Sequence, residues 1–145
     1  MGFFDDPERT RATFDADGWV RSGDLATLDA DGHLTVVGRK KELIIRGGMN
    51  ITPRELEDLI GVFPEVRSVA VVGTPDERLG EVVCACVVPE AGATLTLAVV
   101  VDRLRDAGIA TYKLPQRLEL LGELPTTASG KIQKHEILRR LEERA

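Results

Sequence analysis

Residues 38–57, GRKKELIIRGGMNITPRELE, hold the signals that decide the fold. Gly38-Arg39-Lys40-Lys41 is a charged break after a turn-rich stretch. Leu43-Ile44-Ile45 reads as a short strand, ended by Gly47-Gly48. Thr52-Pro53-Arg54-Glu55 is a helix start: Thr52 can cap, Pro53 suits the first helical position, and Glu55 completes a capping box. Leu56, Leu59, Ile60 and Phe63 follow at i, i+3, i+4 and i+7, which makes one apolar stripe.

On the C-terminal side, Val66 to Val72 and Glu81 to Val88 are rich in β-branched residues and read as strands. Leu97, Val100, Val101 and Leu104 repeat the helical stripe, and Gly108 stops it. Gln116 to Leu121 reads as another strand. Ile137, Leu138 and Leu141 mark a last short amphipathic helix. This order predicts a small α+β domain over residues 38–145, with a hairpin and a mostly antiparallel sheet flanked by helices.

On the N-terminal side, residues 1–37 are punctuated by Asp5-Asp6-Pro7, Asp15-Ala16-Asp17-Gly18 and Asp29-Ala30-Asp31-Gly32. The two Asp-Gly steps lie between short apolar runs, which is hairpin chemistry. Ordering backbone costs ~1–2 kcal/mol per residue. So few apolar residues cannot offset that cost, and this segment is expected to be poorly ordered or to borrow contacts from a neighbour.

The 145 residues are 43% hydrophobic and 30% charged, with net charge −5 and a pI near 5.1. An acidic chain lacks the basic surface that phosphate neutralisation needs, which argues against nucleic acid as a partner. No apolar run approaches the ~20 residues that span a bilayer. The start, MGFFDDPERT, has neither the basic end nor the apolar centre of a signal peptide. Position 6 is Asp6 rather than the Ser or Thr of a myristoylation start. Cys84 and Cys86 share one face of a strand and have one intervening residue, not the two of a redox or metal pair. They read as small buried hydrophobes in a reducing cytoplasm.

Three segments present residues that structure alone does not require. Arg21-Ser22-Gly23-Asp24 sets a carboxylate on a glycine turn, where it can accept hydrogen bonds from two sugar hydroxyls or merely serve the turn. Gly38 to Glu42, followed by Gly47-Gly48-Met49-Asn50, joins charge to glycines that permit close approach of a ligand. Pro125-Thr126-Thr127-Ala128-Ser129-Gly130-Lys131 is a small-residue loop presenting one lysine. It is no phosphate-binding P-loop, because Pro125 stands where a glycine is needed and Ile132 follows the lysine. An ammonium on such a loop suits developing negative charge.

In this order and spacing the segments resemble the adenylate-forming (AMP-binding) superfamily of acyl-CoA synthetases, peptide-synthetase adenylation domains and luciferases. GFFDDPERT and GWVRSGDLA are similar to its Gly-Tyr-x-x-x-Pro-x-x-Thr and ribose motifs. GRKKELIIRGGMNITPRELE is similar to its hinge motif, and PTTASGKIQK to its C-terminal lysine motif. The resemblance covers the whole chain, but lacks the larger N-terminal domain with its phosphate loop and acid pocket. It implies the C-terminal lid of a fatty-acid or aryl-acid CoA ligase, with residues 1–37 as the last strands of the missing domain. The isolated chain is then expected to be inactive.

The resemblance also implies roles. Lys131 would serve the adenylation half-reaction. Asp24 would bind the ribose of ATP or AMP, with Arg39 beside it, and Lys41 would be the hinge. Gly47 and Gly48 would line the coenzyme A tunnel, and Tyr112 and Lys113 would meet the CoA nucleotide. Some relatives carry an aromatic residue where this chain has Leu79. Mg would be held mainly by the missing domain, and no metal ligand is expected here. His33 and His135 match no family catalytic position. The implied partners are the N-terminal domain of the same enzyme, a carboxylic acid and CoA, in the cytoplasm. A chain passing its product to a carrier protein would be expected to run on beyond Ala145. A non-catalytic regulatory module with the lid fold stays open as an alternative.

Overall fold

The computed structural model describes residues 2–144, and the chain divides into two units that meet between Lys41 and Glu42.

The first unit begins with a helix in a stretch that the sequence presents only as turns. Asp6 accepts a hydrogen bond from the Arg9 amide at 2.8 Å, and Pro7 occupies the first turn, so α1 forms over Pro7–Thr13. Asp15 Oδ1 then accepts from the amides of Asp17 and Trp19, which closes a turn between the bridged residues Phe14 and Val20. The second Asp-Gly step is the hairpin: β1 (Asp24–Leu28) pairs antiparallel with β2 (Leu34–Arg39). Asp29 Oδ1 holds that turn through the amides of Asp31 and His33. Because β2 runs on to Arg39, this unit extends past residue 37 to Lys41. None of its described side chains is buried, and Phe4, Trp19, Leu28 and Leu34 are exposed.

The second unit opens with a small hairpin, β3 (Ile44–Arg46) and β4 (Met49–Ile51), whose register is Arg46↔Met49 at the turn. Helix α2 (Pro53–Ile60) follows, then the long hairpin β5 (Val66–Asp76) and β6 (Gly80–Pro89). Asp76 Oδ1 takes the amides of Arg78 and Leu79 and so forms the tight turn between them. Helix α3 (Leu97–Asp106) leads to β7 (Arg117–Leu120), and α4 (Lys134–Glu142) ends the unit. The sheet runs β4-β3-β6-β5, and β7 lies parallel beside β6, its one parallel pairing among the described strands.

Strand β6 is buried on both faces, so it reads as a continuous apolar run. Its alternate residues divide the core in two. Val83, Ala85 and Val87 pack with Ile51, Leu56, Ile60, Val100 and Leu104 of the α2–α3 side. Cys84 and Cys86 pack with Ala70, Val72 and Ile137 beneath α4. The two thiols are unoxidised, with Sγ atoms 3.9 Å apart. Its hydrogen bond with Cys84 and its burial push the Cys86 thiol up.

The expected capping box is not formed. Thr52 makes no side-chain cap bond, while Glu55 takes the Lys113 ammonium at 2.6 and 2.9 Å. The Glu55 carboxylate accepts from the Lys113 ammonium in place of the cap amide, and in that pair both partners are charged.

Candidate functional site

Asp24 and Arg39 come together in the first unit. They are direct partners in the β1–β2 register, and Arg39 Nε lies 3.0 Å from Asp24 Oδ1. Gly23, at φ +76°, turns the chain so that its carbonyl accepts from the Lys40 amide at 2.8 Å. Asp24 therefore leaves a glycine turn with one oxygen on a guanidinium. Lys41 follows, exposed, on the 3-10 turn Lys40–Glu42 at the limit of the unit.

In the second unit, Gly47 and Gly48 form the β3–β4 turn at φ +55° and +81°, conformations that L side chains rarely adopt. The Gly47 amide is fixed to the Leu79 carbonyl at 2.8 Å. Arg46, Gly47, Leu79, Thr111 and Tyr112 line one open depression. Arg46 donates through Nη1 to the Tyr112 carbonyl, while its Nε is buried without a partner among the described residues. Tyr112 thus sits beside the glycine turn. Lys113 instead points its ammonium to Glu55, so any phosphate would have to compete with that carboxylate.

Lys131 lies on a hydrogen-bonded turn. Thr126 and Ile132 are bridged, the Thr127 amide bonds the Lys131 carbonyl at 2.8 Å, and the Lys131 amide bonds Thr127 Oγ1 at 3.1 Å. Gly130, at φ +81°, permits the reversal. Lys131 is exposed, and it has no ion-pair partner among the described residues. It shares no hydrogen bond with the other expected site residues. An uncommitted ammonium on a constrained turn can meet an anionic group supplied from outside this unit.

The reading from sequence missed Lys134. Its ammonium lies 2.8 Å from Glu42 Oε2 and 2.8 Å from Glu57 Oε1. These residues are far apart in the chain, and no local spacing announces the contact. Asp29, Asp31 and His33 bring candidate ligand atoms within 4.8 Å of one another. Asp29 Oδ1 is already engaged by two turn amides, and donation from the His33 amide leads the effects that lower this carboxyl. A separate cavity of about 300 Å³ lies among Thr74, Cys84, Arg117, Glu119, Leu138 and Leu141, and it contains none of the expected residues.

The chain belongs to the family described as "AMP-binding enzyme C-terminal domain", which matches residues 55–131, more than half of its length. It is 44% identical over 146 residues to the medium-chain fatty-acid–CoA ligase of Escherichia coli K12, covering 97% of this chain and 26% of that protein. It is 52% identical over 121 residues to the indoleacetate–CoA ligase of Aromatoleum aromaticum, covering 83% of this chain and 24% of that protein. Among solved structures, ATP-bound MatB from Rhodopseudomonas palustris matches with a TM-score of 0.89 at 36% identity, over 98% of this chain and 28% of that one. The chain thus spans about a quarter of the length of the curated relatives it matches.

Proposed function

We propose that this chain acts as the C-terminal lid of an ATP-dependent, AMP-forming carboxylic acid:CoA ligase. The observation that carries the reading is Lys131: an exposed ammonium without an ion-pair partner among the described residues, on a turn held by its own backbone bonds. The family to which the chain belongs, and relatives named as CoA ligases, supply the reaction class.

In the first half-reaction, a carboxylate oxygen bonds to the α-phosphorus of ATP and the bond to the bridging oxygen breaks. Pyrophosphate leaves, and an acyl-adenylate remains. Lys131 offsets the negative charge that grows on the phosphoryl oxygens and orients the attacking carboxylate. Asp24 accepts from the ribose hydroxyls, and its exposed position and its pairing with Arg39 suit that task. In the second half-reaction, a thiolate attacks the acyl carbon and AMP leaves. Gly47 and Gly48 line the path of the thiol-bearing arm, and Tyr112 offers its ring to the CoA nucleotide beside that turn. Lys41 is the hinge on which the lid changes face between halves.

The exposed apolar side chains of residues 2–41 fit strands that complete a larger N-terminal domain of the same enzyme. That domain would supply the acid pocket and Mg. A cytoplasmic setting suits the unoxidised pair Cys84 and Cys86, and no helix among the described residues is long and apolar enough to cross a membrane.

The test joins this chain to the N-terminal part of the Escherichia coli relative in place of that enzyme's own C-terminal quarter. Pyrophosphate release and thioester formation with a medium-chain acid should both return, while the isolated chain shows neither. Turnover by the isolated chain, or a folded fusion that binds ATP but forms no adenylate, contradicts the proposal.

A further inference from the structure

The turn that carries Lys131 has few attachments of its own. Between Pro125 and Ile137 no side chain is buried. Helix α4, which follows the turn, has Gln133 at its cap position with no side-chain cap bond. Hydrophobic packing holds this helix further along, at Ile137 and at the partly buried Leu138 and Leu141. Only backbone bonds, such as Gln133 amide to Pro125 carbonyl at 2.8 Å, attach its start to the turn.

Lys134, the first residue of α4, supplies the missing attachment. Its ammonium, on a side chain 19% exposed, sits between Glu42 and Glu57 at 2.8 Å from each. Glu42 is the first residue of the second unit and follows Lys41 directly. Glu57 lies on α2, and the same Oε1 that meets Lys134 accepts the Val71 amide of β5 at 2.7 Å. One ammonium therefore ties together the start of the unit, a helix, the sheet and the base of the lysine turn. A partly buried charge cluster is weak as a source of stability, because desolvation offsets its attraction. Its structural effect is to bring Glu42, Glu57 and the first turn of α4 within reach of one ammonium.

We infer that Lys134, Glu42 and Glu57 are positioning residues that hold the Lys131 turn in fixed register with the hinge end of the lid. This rests on the proposed role of Lys131 in adenylate formation. Movement at the hinge then reaches the catalytic ammonium without being lost in the start of α4. Without the cluster, the turn as a whole shifts relative to the hinge end, and an ammonium about 1 Å out of place costs up to ~10²-fold in rate.

Two arms test it. In the 145-residue chain itself, amide exchange is compared among wild type, Lys134→Met and Lys134→Arg. Lys134→Met should speed the amides of Thr127, Gly130, Lys131 and Gln133 by about tenfold more than those of β6, and Lys134→Arg should restore most of the difference. An equal change in the turn and in β6 would mean that Lys134 only stabilises the fold, and the inference would fall. This arm is informative whether or not any fusion turns over.

In the fusion with the Escherichia coli N-terminal part, Lys134→Met should slow adenylate formation by about 10- to 100-fold. Thioester formation from supplied acyl-adenylate should stay within about twofold of wild type, and Lys134→Arg should recover most of the adenylation rate. Normal adenylation in Lys134→Met, with Lys131→Ala severely impaired, overturns the inference and leaves the proposed function standing. Normal adenylation in Lys131→Ala overturns the proposed function itself.

Discussion

Replacing Leu56 by Ala should unfold the second unit far more readily and leave the first untouched. Leu56 is fully buried on α2 against the sheet, in the cluster that includes Ile51, Ile60, Val83 and Leu104. Truncation removes the transfer free energy of the lost carbons and leaves a cavity, about 3 kcal/mol within the usual 2–5. For a domain of ~100 residues, each kcal/mol lowers the midpoint by about 4–8 °C, so the thermal transition should fall by roughly 12–24 °C. The assay can separate the units, because Trp19 is the single tryptophan and lies in the first. Far-UV circular dichroism is dominated by the second unit, which holds α2, α3, α4 and the five-stranded sheet, while Trp19 emission reports only on the first. Trp19 is 75% exposed, so Trp19→Ala should shift the main transition hardly at all. A loss below about 4 °C for Leu56→Ala, or equal losses for the two variants, would refute the assignment of the core to residues 42–144.

Three further outcomes follow from local chemistry. Arg103 donates to both oxygens of Glu65, at 2.7 and 2.8 Å, and holds that carboxyl at about 2 rather than 4.5. A depressed carboxyl contributes stability above its unfolded pKa and loses it as pH falls through the folded value. Glu65→Gln should therefore flatten the fall in melting temperature between about pH 5 and pH 2, and an unchanged slope refutes the pairing. Gly48→Ala should cost about 1–2 kcal/mol in urea unfolding from backbone strain alone, since a Cβ there meets nothing within 4 Å. Gly47→Ala should cost about the same, because its Cβ makes only an ordinary contact with Leu79 at 3.5 Å. A much larger loss at Gly47 would point to packing rather than strain.

The elements legible in the sequence are those whose periodicity is their cause. The stripe from Leu56 to Phe63 and the β-branched runs on either side of residues 77–79 are such cases, because the same side chains that repeat also fill the core. The α1 helix was illegible, since it buries nothing and rests on one aspartate cap and a proline. The capping box at Thr52 misled because Glu55 had a stronger partner 58 residues away. The pairing of Asp24 with Arg39 needed the β1–β2 register, which an Asp-Gly turn implies only loosely because a bulge follows Leu25. The cluster around Lys134 joins residues 92 apart, and only the folded sheet brings them together. The lysine turn itself was readable, because Gly130 and the small residues before Lys131 announce a tight reversal presenting a charge.

The central claim is that Lys131 serves one half-reaction. In the fusion enzyme, adenylate formation and thioester formation from supplied acyl-adenylate are to be timed separately for wild type and Lys131→Ala. The account predicts a loss on the order of 10²–10³-fold in adenylate formation, the effect of removing one preorganised donor, and a nearly normal thioester step. Equal damage to both steps, or none to the first, would contradict it.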